Sequence, residues 1–259
     1  MLHTIKYLLV TTLVLLTVDA SSQDLHQRYK GLPCLNKTFQ IHAHVVLDTF
    51  GIATYTPDDL LESLEGANEL FSPICAKFEL CSIDTIHNYE FDSIGRFPEA
   101  EEMRRLFHLE NRINVYLVDV LPTPTICGFA TLSGIQQMNN GLVFLRCLGS
   151  ATLAHELGHL FGLLHTFEGN GVELVNGDNC EIAGDLICDT PSDPYVVGEP
   201  LSEYIRDCEF ISIKQDSNFT FYQPDVGNVM SYYDCPCGFT RGQYIKMAET
   251  YLATNPKMW

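Results

Sequence analysis

His155-Glu156-Leu157-Gly158-His159-Leu160-Phe161-Gly162-Leu163-Leu164-His165 is the stretch from which the rest of the chain is read. His155 and His159 stand four apart, so a helix puts both on one face. Glu156 follows about 100° further round, where it cannot point with them but can reach a water beside them. Gly162 falls where the helix should stop, because glycine readily takes the left-handed backbone that ends helices. The chain can then turn and return His165 as a third ligand. Three neutral imidazoles leave one coordination position of a zinc ion open, which separates a catalytic site from a closed structural one. Such a zinc lowers the pKa of a water towards roughly 7. Glu156 is placed to take that proton and to hand it on to a leaving amine. The full pattern arises by chance in on the order of one in 10⁴ chains, so incidental histidines on an amphipathic helix explain it poorly.

Outward from this stretch, the N-terminus has the form of a secretory signal: Lys6, an apolar run from Tyr7 to Val18, and Val18-Asp19-Ala20 as the cleavage positions, with the cut after Ala20. The run is too short to span a bilayer and no later segment is longer, so no stable membrane anchor is expected. Residues 21–37 read as an N-terminal segment, a short propeptide at most, and 38–259 as the main domain. A secreted, extracellular monomer is expected. The net charge of −18 disfavours nucleic acid and anionic membranes and suits cationic peptides or calcium; plain solubility accounts for it equally well. Ten cysteines behind a signal peptide point to disulfides. Cys127 and Cys147 flank a hairpin predicted around Asn139-Asn140-Gly141 and are expected to pair. Cys34 is either a zinc-blocking thiolate in a precursor or, better suited to an even count, a disulfide partner. Asn36 and Asn218 begin glycosylation triplets.

Strands are expected over 39–47, 78–85, 113–121, 127–133 and 142–147, with 113–121 the buried central one. Helices are expected over 57–75, 99–109, 150–160 (capped by Ser150) and 241–254. His42 and His44 share one face of the first strand, where a second metal is conceivable beside the plainer reading as packing residues.

The central stretch resembles the long zinc signature of the metzincin metallopeptidases, and Val229-Met230-Ser231-Tyr232 is similar to their methionine turn. His165-Thr166-Phe167, Gly184-Asp185, Asp189-Thr190-Pro191 and Phe239-Thr240-Arg241-Gly242-Gln243 with Met247 narrow the resemblance to the pappalysin (ulilysin-like) group. It is dense from Ala151 to Met247; before that it rests on the order of elements and on Gly128-Phe129-Ala130.

The resemblance implies an α+β zincin. A twisted, mostly parallel sheet with an antiparallel edge strand and two main helices would form an upper lobe ending at Gly162. A loop-rich, disulfide-stapled lower lobe would follow to Trp259, with zinc in the cleft between. It implies a zinc endopeptidase with His155, His159 and His165 as ligands, Glu156 as base and then acid, and Met230 as an apolar floor. Tyr232 would steady the oxyanion, although a packed aromatic in a tight turn describes it as well. The edge strand from Gly128 to Leu132 would pair with an extended substrate. In the loop after the zinc helix, Asp178, Glu181, Asp185, Asp189 and Asp193 would bind calcium, against the alternative of a solvated acidic loop. Cys180 would pair with Cys208, and Cys188 with Cys237 or Cys235. The chain departs from the group at Tyr233-Asp234-Cys235-Pro236-Cys237 and from Tyr195 to Pro224, where substrate preference is set. Asp234 would favour arginine or lysine after the cut. A catalytically silent zinc-stabilised binding protein would have no need of Glu156. Astacin- or reprolysin-like peptidases carry an acidic residue where this chain has Thr166.

Overall fold

The run Ile113–Leu117 (β3), apolar except for Asn114, is buried at every residue and takes the middle of a five-stranded sheet. Its partners are Lys37–Val46 (β1), Ala76–Ile86 (β2), Gly128–Ala130 (β4) and Leu142–Leu145 (β5), in the order β2-β1-β3-β5-β4. All pairings are parallel except β4 with β5, which is antiparallel. This is the mostly parallel α+β sheet with an antiparallel edge that the sequence implies. The structure is a computed structural model that describes residues 29–123, 126–130, 142–169 and 171–253. The signal-like residues 1–20, the Asn139-Asn140-Gly141 turn and the continuation of the edge strand to Leu132 lie outside these. The chain divides after Pro33, and the unit from Cys34 on carries every element named here.

Helix α1 (Pro57–Phe71) begins at a capping box. Thr56 Oγ1 accepts the Asp59 N–H at 3.3 Å, and an Asp59 carboxylate oxygen accepts the Thr56 N–H at 2.8 Å. The helix stops at Phe71, not at Cys75 as the sequence suggests. Pro73 sits in a 3-10 turn over Ser72–Ile74, and Cys75 then turns left-handed at φ 53°. Helices α2 (Phe97–Phe107), α3 (Ser150–Leu160) and α4 (Arg241–Ala253) complete the set. Ser150 is the first residue of α3; the cap is Gly149.

The two faces of the sheet carry different cores. On one, Phe39 meets Phe161 and Tyr251 edge-on, each at 5.1 Å between ring centroids, so α3 and α4 lie against it. On the other, Val46, Ile86, Tyr116 and Phe144 pack with Ala100 and Met103 of α2. Here a row of rings crosses four registered strands. His44 stacks on Tyr116 at 4.3 Å, Tyr116 on Phe144 at 4.7 Å, and Phe144 on Phe129 at 4.7 Å. Stacked rings add to burial by roughly 0.5–1.5 kcal/mol per pair.

After Gly162 the chain is irregular, with a two-stranded hairpin of Ile205–Arg206 (β6) and Glu209–Phe210 (β7). Its own core is aromatic: Phe167, Tyr195, Tyr204 and Tyr233. Four disulfides are present. Cys127 joins Cys147, and Cys34 joins Cys75, which removes Cys34 as a free thiolate. The pairings implied for the lower region are corrected. Cys180 joins Cys188 across eight residues instead of reaching Cys208. Cys208 joins Cys235, and Cys237 and Cys81 are free and exposed. A compact loop brings Cys180 and Cys188 together locally, leaving the hairpin to be tied to the loop after the methionine turn. Among the described residues, no helix is long and apolar enough to cross a membrane.

Candidate active site

Helix α3 puts His155 and His159 on one face, with ring centroids 4.7 Å apart. The helix then stops. The Gly162 N–H bonds back to the His159 carbonyl at 2.9 Å and the Leu163 N–H to the Gly158 carbonyl at 3.0 Å, with Gly162 left-handed at φ 86°. A side chain would be strained in that conformation. The turn returns His165 to the same point, as the spacing predicts. His159 Nε2 lies 3.1 Å from His155 Nε2 and 3.0 Å from His165 Nε2.

Two of these histidines have their tautomer set by the backbone. His155 Nδ1 donates to the Val229 carbonyl at 2.7 Å, and His159 Nδ1 donates to the Leu163 carbonyl at 2.8 Å. With the proton on Nδ1, each Nε2 presents a lone pair to the cluster. Burial holds all three imidazoles neutral, His155 at about 3 and His165 at about 2. The lone pairs of His155 and His159, 3.1 Å apart, repel each other unless a cation stands between them, and His165 Nε2 faces the same point. The donor set is the one zinc takes.

Val229 and Met230 belong to the same turn. Met230 is fully buried, and its amide bonds to Asn228 Oδ1 at 2.9 Å. Asn228 is itself held by Gln243 of α4 at 2.9 Å. Met230 Sδ lies where a Cβ on Gly158 would come within 2.6 Å, so the turn sits directly on the helix. Met230 is thus a floor under the histidine helix. The sequence marks Met230 and Gln243 as part of a pattern; the need for glycine at 158 depends on a contact far away in the chain and carries no local signal.

Glu156 points away from the histidine face towards β4. It is 4 % exposed, and its Oε2 has no hydrogen-bond partner among the described residues. Burial pushes its carboxyl up to about 8. A Cβ on Gly128 would lie 2.8 Å from Glu156 Oε1, so the carboxylate rests against the bare backbone of β4. Tyr232 stands edge-on to His165 at 4.9 Å between ring centroids, and burial pushes its phenol up to about 12. A cleft of about 490 Å³ runs past these groups and is also lined by Gly128, Phe129, Ala130 and Asp234.

The five acidic residues expected to hold calcium do not gather. No three of their carboxylates come within 4.8 Å of one another. Asp193 is buried and accepts from Thr166 Oγ1 at 2.7 Å, Tyr233 Oη at 2.7 Å and the Tyr195 amide at 3.0 Å. Asp189 accepts from Thr240 Oγ1 and the Gly242 amide, fixing the start of α4. Asp185 accepts the Ile187 amide. Asp178 accepts from Asn176, and Glu181 is exposed. The loop is tied by these bonds, not folded around one oxygen cage. Its buried acidic neighbour is Glu173, which the sequence reading missed. Burial first and then Asp185 push its carboxyl up to about 7. Asn36 and Asn218 are exposed.

Known proteins are similar to this chain in sequence and in fold. An extracellular metalloprotease of Arthroderma otae is 26% identical over 235 residues, covering 83% of this chain and 78% of its own length. One from Aspergillus fumigatus is 33% identical over 102 residues, 39% of this chain and 27% of its own. Mature mirolysin of Tannerella forsythia, solved in complex with a cleaved peptide, shares the fold with a TM-score of 0.52 at 16% identity, over 83% of this chain and 91% of its own. Promirolysin from the same organism gives 0.55 at 15% identity, over 93% and 88%. The family model described as pregnancy-associated plasma protein-A matches residues 110–252. That is more than half of the chain and takes in the sheet's second half, the three histidines, the methionine turn and most of α4, so the chain belongs to the pregnancy-associated plasma protein-A family of zinc metallopeptidases.

Proposed function

We propose that this protein is a secreted endopeptidase in which Glu156 is the general base and then the general acid. The observation that carries this is the buried Glu156 carboxylate, with Oε2 unpaired, beside three converging imidazole nitrogens at the edge of an open cleft. His155, His159 and His165 would hold the zinc. When bound, zinc supplies the Lewis acidity that lowers the pKa of a water and polarises a carbonyl. Glu156 takes the proton of the attacking water and returns it to the departing amine nitrogen. Burial pushes its carboxyl up, which favours the second transfer, the return of the proton to the amine.

An extended peptide would add to the outer edge of β4, which pairs only with β5 among the described strands. That the similarly folded mirolysin was solved in complex with a cleaved peptide supports a peptide as the substrate. Asp234 lines the cleft and is exposed, so an arginine or lysine after the cut would meet a carboxylate. Secretion is supported by the signal-like start and by the extracellular relatives. The protein acts as a monomer on peptide or protein substrates.

A mixed peptide library incubated with the protein tests the reading. Cutting within peptides, stopped by a zinc chelator and enriched in basic residues after the cut, is the expected result. No cutting by folded, zinc-loaded protein would overturn the proposal, and cutting without basic enrichment would remove Asp234 from it. Tyr232→Phe should lower kcat by about 10²–10³-fold, the range for a lost oxyanion donor, with zinc content unchanged. An unaltered kcat would leave Tyr232 as a packing residue.

A further inference from the structure

A second set of metal-ligating side chains lies on the opposite face of the sheet from α3. It is made by an irregularity in β2. Phe78 and Leu80 pair in register with Phe39 and Ile41 of β1, and then Cys81 is skipped, so that Ser82 pairs with His42 and Asp84 with His44. Because side chains alternate along a strand, one extra residue moves everything after it to the other face. Without the bulge Asp84 would point away from the histidines. With it, His42 Nε2 lies 3.2 Å from Asp84 Oδ2 and His44 Nδ1 lies 2.7 Å from Asp84 Oδ1. One ligand atom from each of the three residues falls within 4.8 Å of the others.

The hydrogen bonds around His44 fix which ring nitrogen carries its proton. Asn114 Nδ2 donates to the carbonyls of Leu109 at 2.9 Å and Arg112 at 3.0 Å, and its Oδ1 accepts the Leu109 amide at 2.8 Å. The amide is thereby oriented, and it is Oδ1 that faces His44 Nε2 at 3.0 Å. Nε2 must therefore carry the proton. In a neutral imidazole that leaves a lone pair on Nδ1, aimed at a carboxylate oxygen 2.7 Å away. Two acceptors at that distance need a cation between them. A second proton would serve only by placing an imidazolium on a fully buried ring.

We propose that His42, His44 and Asp84 bind one divalent transition-metal ion, zinc foremost, which clamps β1 to β2. Two imidazole nitrogens and a carboxylate suit zinc, cobalt, nickel or copper, whereas calcium and magnesium take oxygen ligands. Asn114 fixes the ligating tautomer of His44, and Ser82 Oγ lies 2.5 Å from His42 Nδ1, so both rings have the outer-shell partner that metal-bound histidines need. Asp84 is half-exposed and offers the ion a path from solvent.

Zinc content per chain, measured by plasma mass spectrometry after dialysis of the full chain against buffered micromolar zinc, tests this. Wild type should hold two equivalents. Asp84→Asn and His42→Gln should each hold one, with peptidase activity unchanged and with folding checked by circular dichroism. Cys81→Ser should still hold two, since the free thiol is not a ligand. A single equivalent in wild type would overturn the proposal, as would a second equivalent that survives in the Asp84→Asn, His42→Gln double variant. Because Asp84 is half-exposed and asparagine matches its shape, Asp84→Asn remains informative even where His42→Gln fails to fold. The readout does not depend on what the other centre cleaves.

Discussion

Glu156→Ala lowers kcat/KM for peptide cleavage by about 10²–10⁴-fold, the range a positioned general base contributes, and leaves the zinc content of the protein as it was. In barrier terms that is about 3–5 kcal/mol. The separation of the two effects follows from geometry. Glu156 faces β4 and gives nothing to the three-nitrogen cluster, whose lone pairs are oriented by the Val229 and Leu163 carbonyls. Glu156→Gln is the sharper control, because it keeps the volume against Gly128 and removes only the ability to take a proton. Both variants should stay folded, since the carboxylate makes no hydrogen bond at Oε2 that folding would lose. Cleavage near the wild-type rate in either, with zinc bound, would refute the role.

His159→Ala should remove the zinc of this cluster and the activity together. His159 is the hub of the cluster: its Nε2 is within 3.1 Å of both other Nε2 atoms, and its ring is buried. The loss of affinity should exceed the roughly 10–100-fold that follows from disturbing an outer-shell partner, because a ligand itself is gone. Outer-shell variants are not available for His155 and His159 here, as the acceptors behind them are backbone carbonyls. The variant should also melt earlier: removing a buried ring leaves a cavity, and the zinc that would stabilise the native state is no longer held. Zinc content and residual cleavage are the measurements. A variant that keeps one equivalent at the wild-type rate would show that the histidines are not the ligands; the equivalent proposed at His42, His44 and Asp84 is told apart by its loss in Asp84→Asn.

The site was largely legible because its information is local. His155, His159, Gly162 and His165 lie within eleven residues, and helix geometry alone brings the first two together. The extent of α3 follows from the same pattern. Where the reading failed, the missing information was tertiary. Nothing local distinguishes Cys208 from Cys188 as the partner of Cys180, since connectivity depends on how the loop folds. Counting carboxylates after the zinc helix suggested calcium, but a count does not show whose oxygens are already taken; Asp193 has three donors. Gly128 and Gly158 are small because Glu156 and Met230 come from elsewhere to touch them. The bulge at Cys81 likewise shows only once β1 and β2 are paired, and it decides which face Asp84 joins.

The sheet has two outer strands, and they are finished differently. The described residues of β4, Gly128–Ala130, carry no charge and line the cleft. β2 is long, and a long edge strand is normally an invitation to another copy of the same chain. Here that edge carries the exposed Lys77 and Glu79, paired at 2.6 Å, and then breaks its own hydrogen-bonding rhythm at Cys81. A strand that tried to lie along β2 would meet charge first and a misaligned ladder next. On the proposed reading β4 is the edge left open to an extended peptide, while the charges and the bulge of β2 disfavour pairing with a second copy of the chain.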